Sequence, residues 1–132
     1  MNFPTNWCVP DEKLNSYISD IQSIKESYKD KIEVYLGLEI DYIPGLAGRT
    51  KHILSDISLD YFISSIHFVD TFADGTPWNI DTSYELFSKG LKEIFNNNIR
   101  KAATRFFEIT RQMIMEDRPN ILGHIDKIKM FN

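Results

Sequence analysis

One run of residues constrains this chain most. Ile32 to Ile43 reads IEVYLGLEIDYI, rich in β-branched and aromatic side chains. It looks too apolar for a strand with one face in water, so it predicts a strand buried on both faces, extending to about Asp41. A strand of that kind needs helices over it. The flanking sequence supplies them.

Pro10, Asp11 and Glu12 are helix-opening residues. Leu14, Tyr17, Ile18, Ile21, Ile24 and Tyr28 then recur at helical spacing for about five turns. Lys29, Asp30 and Lys31 close that helix. After the first strand, Pro44 to Gly48 reads as a loop and Thr50 to Ile57 as a short helix. Tyr61 to Val69, YFISSIHFV, predicts a second strand, and Asp74-Gly75-Thr76-Pro77 a turn. Two amphipathic helices follow, Ser83 to Asn96 and Asn98 to Asp117. Arg118-Pro119-Asn120 breaks the second, and Ile121 to Ile125 predicts a third strand. The order α-β-α-β-α-α-β points to a parallel α/β architecture. Three parallel strands with no helix after the last suggest part of a larger α/β domain.

Composition excludes several classes. With 132 residues, 42% of them hydrophobic, the chain suits one domain with a core and does not suit disorder. A net charge of −4 gives no general attraction to nucleic acid or anionic lipid. The single cysteine, Cys8, rules out an internal disulfide framework. No apolar run is long enough to span a membrane, and Met1 to Pro10 lacks the features of a secretory signal, so the expected location is the cytoplasm.

In parallel α/β folds, polar residues at the carboxyl ends of strands carry the chemistry. The first strand ends in Glu39 and Asp41, the second in His67 and Asp70, the third in His124 and Asp126. His52, the remaining histidine, lies in the short helix. One carboxylate and two imidazoles converging from neighbouring strands suit Zn, Mn or Fe. The spacings, 28 residues from Glu39 to His67 and 57 from His67 to His124, carry little by themselves. From pattern alone, Glu39 fits a solvated strand end better than a ligand, and each histidine fits a core position as readily. Asp41 and Asp126 lie two residues beyond a candidate ligand, where they suit either a role in orienting a histidine or a turn. Cys8 has no local histidine partner. Ser64 and Ser65 lie inside a strand rather than in a nucleophile elbow. No phosphate-binding glycine motif is present. The loop at Gly45 to Arg49 reads better as flexible than as an anion site. Lys127 and Lys129 read better as solvated than as phosphate contacts.

Three segments stand in an informative order: Gly37-Leu38-Glu39-Ile40-Asp41-Tyr42, Ser64-Ser65-Ile66-His67-Phe68 and Ile121-Leu122-Gly123-His124-Ile125-Asp126. They resemble middle motifs of the PHP family of phosphoesterases. The flanks, Trp78-Asn79-Ile80-Asp81, Phe106 to Thr110 and Lys127-Ile128-Lys129, resemble its histidinol-phosphatase branch. The resemblance covers about Asp11 to Asn132. It implies a distorted (β/α)7 TIM-like barrel, here a partial PHP domain over residues 1–132. It also implies divalent metal ions and hydrolysis of a small phosphorylated substrate, L-histidinol phosphate, in histidine biosynthesis. Glu39 then matches a metal-bridging glutamate, and His67 and His124 the histidines completing one metal site. Arg49, Arg111, Arg118, Lys127 and Lys129 are candidates for contacting the substrate phosphate.

The family's opening H-x-H motif and closing D-x-H motif are absent from the sequence. The resemblance thus implies weak or no activity for this chain alone. Two other readings accompany it. One is a noncatalytic metal-binding fragment that needs the missing barrel segments, with self-association through exposed sheet edges. The other is a polymerase-associated PHP module, which the acidic balance disfavours.

Overall fold

The computed structural model describes residues 8–45, 50 and 54–131. The chain divides into two compact units, Met1–Leu36 and Gly37–Asn132. In the first, helix α1 spans Asp11–Tyr28, where the apolar periodicity predicts it. Asp11 and Glu12 in its first turn and Lys25 in its last complement the helix dipole. None of its residues is fully buried.

The second unit contains β1 (Gly37–Asp41), β2 (Tyr61–Ser65), β3 (Phe68–Thr71), β4 (Pro77–Asn79), α2 (Tyr84–Phe95), α3 (Ile99–Asp117), β5 (Ile121–Leu122) and a 3-10 turn at Lys127–Lys129. The architecture is mixed α/β. β1, β2 and β5 form a parallel sheet in the order β1-β2-β5, and β3 and β4 form a separate antiparallel hairpin. Thr50 and residues 54–56 are helical, in keeping with the short helix expected there, and residues 51–53 lie outside the described set.

The strands depart from expectation in three ways. First, β1 starts at Gly37, not Ile32, and Ile32 and Tyr35 are each 57% exposed. The ladder sets this limit: its register begins with Gly37 against Tyr61, the first residue of β2. Within 37–41 the sequence alternates, and so does its placement. Glu39 is exposed and Ile40 buried, so β1 is one-sided rather than covered on both faces. Second, the run at 61–69 is not one strand. The register of the β1–β2 ladder ends with Asp41 against Ser65. The chain therefore leaves the sheet at Ile66 and His67, and Phe68–Thr71 pairs with Pro77–Asn79. Third, β5 is two residues long, Ile121–Leu122, although Gly123 N still donates to the Ser64 carbonyl.

The predicted turn closes the hairpin. Thr76 N donates to Asp74 Oδ1, and Gly75 takes a left-handed φ of 82°. Both later helices begin on side-chain caps: Ser83 accepts from Leu86 N, and Asn98 from Lys101 N. Their apolar stripes meet the hairpin in one core that includes Trp78, Phe87, Phe106, Ile109 and Met113. Trp78 is fully buried, with Phe87 and Phe95 ring centroids 5.6 and 5.5 Å away. Gly90 permits this packing, because a Cβ there would stand 2.1 Å from the Trp78 indole nitrogen.

Alternation along the sheet divides labour between its faces. Leu38, Ile40, Phe62 and Ser64 share one face, and Ile40, Phe62 and Ser64 are buried. The carboxylate of Asp117, at the end of α3, accepts from Ser64 Oγ and Thr50 Oγ1, which fastens α3 to that side. Glu39, Asp41 and Ser65 occupy the other face.

Candidate metal centre

The centre is assembled at the carboxyl ends of β1, β2 and β5. Glu39 comes from β1, its side chain 47% exposed. Ser65 lies two residues past Ile63, the register partner of Glu39, so the two share a face. Ser65 Oγ donates to Glu39 Oε1 at 2.6 Å and fixes one carboxylate oxygen. Gly123 makes room for this bond. A Cβ at 123 would stand 1.9 Å from Ser65 Oγ.

His67 sits where the chain turns out of β2. Its Nδ1 is 2.6 Å from Asp41 Oδ1. A carboxylate can only accept there, so Nδ1 carries the hydrogen and Nε2 presents its lone pair outward. The hydrogen bond to Asp41 raises the imidazole pKa, against the opposing effect of burial. His124 follows Gly123 at the end of β5. Its Nε2 lies 3.1 Å from His67 Nε2 and 3.3 Å from Glu39 Oε1. One donor atom from each of Glu39, His67 and His124 falls within 4.8 Å of the others.

These spacings suit a shared cation. Donors at about 2.1 Å from one ion, with tetrahedral to octahedral angles, stand about 3.0–3.4 Å apart. The 3.1 and 3.3 Å separations match. Two imidazole nitrogens and a carboxylate oxygen are also the donor chemistry that borderline divalent metals take. The carboxylate–histidine pairing of Asp41 with His67 is the arrangement that orients metal-binding imidazoles.

Asp81 and Lys127 flank this cluster. Asp81 Oδ2 is 3.7 Å from His67 Nε2 and 3.0 Å from Lys127 Nζ. Neither Asp81 nor Ser65 emerges as a site residue from the sequence. Asp81 reaches His67 only through the β3–β4 hairpin, which the sequence reading lacks. Ser65 is legible only once the β1–β2 register is known. Asp41 does approach His67, one of the two roles expected for it. Asp126 stays exposed at the start of the 3-10 turn, without a side-chain cap bond. Asp70 binds the neighbouring Thr71 amide, away from the cluster. Of the candidate phosphate contacts, Lys127 borders the centre through Asp81. Lys129 is exposed on the 3-10 turn, Arg111 is exposed on α3, and Arg118 is its left-handed C-cap. Arg49 and His52 lie outside the described residues. Among the described residues, no helix is long and apolar enough to cross a membrane.

No family model matches the chain. Curated relatives do. A Schizosaccharomyces pombe protein named "Probable histidinol-phosphatase" is 30% identical over 118 residues, covering 89% of this chain and 36% of that protein. A Deinococcus radiodurans protein of the same name is 27% identical over 121 residues, covering 91% and 45%. The Saccharomyces cerevisiae histidinol-phosphatase is 27% identical over 124 residues, covering 88% and 35%. A crystal structure described as a candidate histidinol phosphatase from Listeria monocytogenes superposes with a TM-score of 0.79 at 25% identity, over 93% of this chain and 46% of that one. The chain thus spans less than half the length of each of these relatives. It is similar, over about nine tenths of its own length, to part of proteins named histidinol-phosphatase.

Proposed function

We propose that this chain carries part of the site of a metal-dependent phosphomonoester hydrolase that converts L-histidinol phosphate and water to L-histidinol and phosphate, in histidine biosynthesis. In this reading residues 1–132 are a partial PHP domain, and the sheet is a segment of a distorted (β/α)7 barrel. The supporting observation is the approach of Glu39, His67 and His124 from three strand ends to within 4.8 Å.

Each residue has a distinct task. Glu39 supplies negative charge, with Ser65 holding one of its oxygens. His67 supplies a neutral nitrogen whose tautomer Asp41 sets. His124 supplies the second nitrogen. A divalent cation held there provides Lewis-acid charge for a phosphoryl group and acidifies water. Lys127 borders the centre through Asp81, and it suits an incoming phosphate oxygen.

Calorimetric binding of L-histidinol phosphate, with and without Mn²⁺, tests this reading. Cation-dependent binding, lost in Glu39→Gln and competed by inorganic phosphate, is the expected result. Phosphate release by the unaltered chain is expected to be slow. Binding that persists without cation, or in Glu39→Gln, contradicts the proposal.

A further inference from the structure

Asp81 stands against the centre in a way that the tasks above leave unused. Its Oδ2 is 3.7 Å from His67 Nε2, the nitrogen that Asp41 leaves with an available lone pair. The same oxygen is 3.0 Å from Lys127 Nζ. Both side chains are largely withdrawn from water, at 18% exposure for Asp81 and 22% for Lys127. Ion pairs in such places carry a desolvation cost that surface pairs escape.

The backbone also braces Asp81 to His67. Ile80 N donates to the His67 carbonyl, and Asp81 N donates to Asn79 Oδ1, both at 3.0 Å. Asn79 is itself buried. The hairpin therefore returns this carboxylate to the open side of the imidazole.

We infer that Asp81 is a fourth donor to the cation held by Glu39, His67 and His124, and that Lys127 is the charge that occupies its carboxylate until the cation does. The inference rests on the metal reading above. Charge balance supports it. Glu39 alone brings one negative charge to a divalent ion, and Asp81 brings the second. Distance supports it too. The 3.7 Å separation is a few tenths of an ångström longer than donors sharing one ion require. Lys127 pairs with the same carboxylate oxygen. Asp41, Glu39 and Asp81 crowd two imidazoles, and the ammonium offsets the carboxylate nearest it. A cation and an ammonium then compete for one carboxylate.

The rival account makes Asp81 only an anchor for Lys127. Titration with Co²⁺ separates the two, following both affinity and the visible absorption of the bound ion. The proteins compared are the unaltered chain, Asp81→Ala, Asp81→Asn and Lys127→Met, each checked for fold by circular dichroism. Asp81→Ala is expected to weaken binding by on the order of 10- to 100-fold or more and to change the Co²⁺ spectrum. Asp81→Asn keeps the side-chain volume and is expected to weaken binding too, which serves if the alanine variant unfolds. Lys127→Met is expected to tighten binding, because the competing charge is gone. Equal affinity in Asp81→Ala, Asp81→Asn and the unaltered chain overturns the inference and leaves the three-residue centre standing. Equal weakening in Lys127→Met and Asp81→Ala overturns it in favour of the anchor. No Co²⁺ binding by the unaltered chain overturns both the inference and the metal reading beneath it.

Discussion

His67 is held between two carboxylates, Asp41 on Nδ1 and Asp81 facing Nε2. The hydrogen bond from Asp41 raises its pKa in the folded chain. In the cation-free protein, the stabilisation this brings is fully present below the unfolded value of about 6.5 and is lost as pH rises through the folded value. Cation binding runs the other way, because protons compete for Nε2 and affinity falls as pH drops through the same range. Asp41→Asn is expected to return the His67 titration, followed by its ring proton resonance, toward the ordinary value. It is also expected to weaken cation binding by about 10-fold or more. An unchanged titration would remove Asp41 from the account. At Gly123, a methyl group would displace Ser65 Oγ, 1.9 Å from its position, and with it the hydrogen bond to Glu39. Gly123→Ala is expected to cost about 1–3 kcal/mol in urea unfolding and to weaken cation binding through Glu39. Ser65→Ala removes the hydrogen bond without the collision. It is therefore expected to weaken cation binding with a smaller loss of stability.

At the scale of elements, the helices and the three parallel strands are legible in the sequence, whereas the limits of the strands and the β3–β4 hairpin are not. The caps and stripes of α1, α2 and α3 are local, so Ser83, Asn98 and the apolar spacing locate them. Strand limits depend on a neighbour. Ile32 to Leu36 has strand composition but precedes the ladder, which begins at Gly37. Phe68–Thr71 has strand composition and pairs with its own downstream segment rather than extending β2. The same limit governs the site. Glu39, His67 and His124 stand out by their placement at strand ends, and the family resemblance of their motifs favours them as ligands. Spacing alone left each of them open. Asp81 and Ser65 depend on a hairpin and a register, which local pattern does not reveal. The hairpin is anchored by Trp78, buried against Phe87 and Phe95. Trp78→Ala is expected to destabilise the chain by about 3–5 kcal/mol in denaturant unfolding. Because Asp81 is carried on the same hairpin, cation affinity should fall with it. A loss below about 1 kcal/mol would show that the hairpin is not fastened through this core.

Across the whole molecule, 35% to 45% of each curated relative is matched. Proposals about the reaction therefore reach beyond these 132 residues. The cation site lies within them, since Glu39, His67 and His124 all belong to the Gly37–Asn132 unit. Metal stoichiometry tests that claim most directly. The purified chain would be dialysed against Zn²⁺ or Mn²⁺ and analysed for its element content beside His67→Ala and His124→Ala. About one tightly held cation per chain is expected, lost in both variants while the fold persists. A folded chain that retains no cation, or variants that retain it fully, would contradict the account.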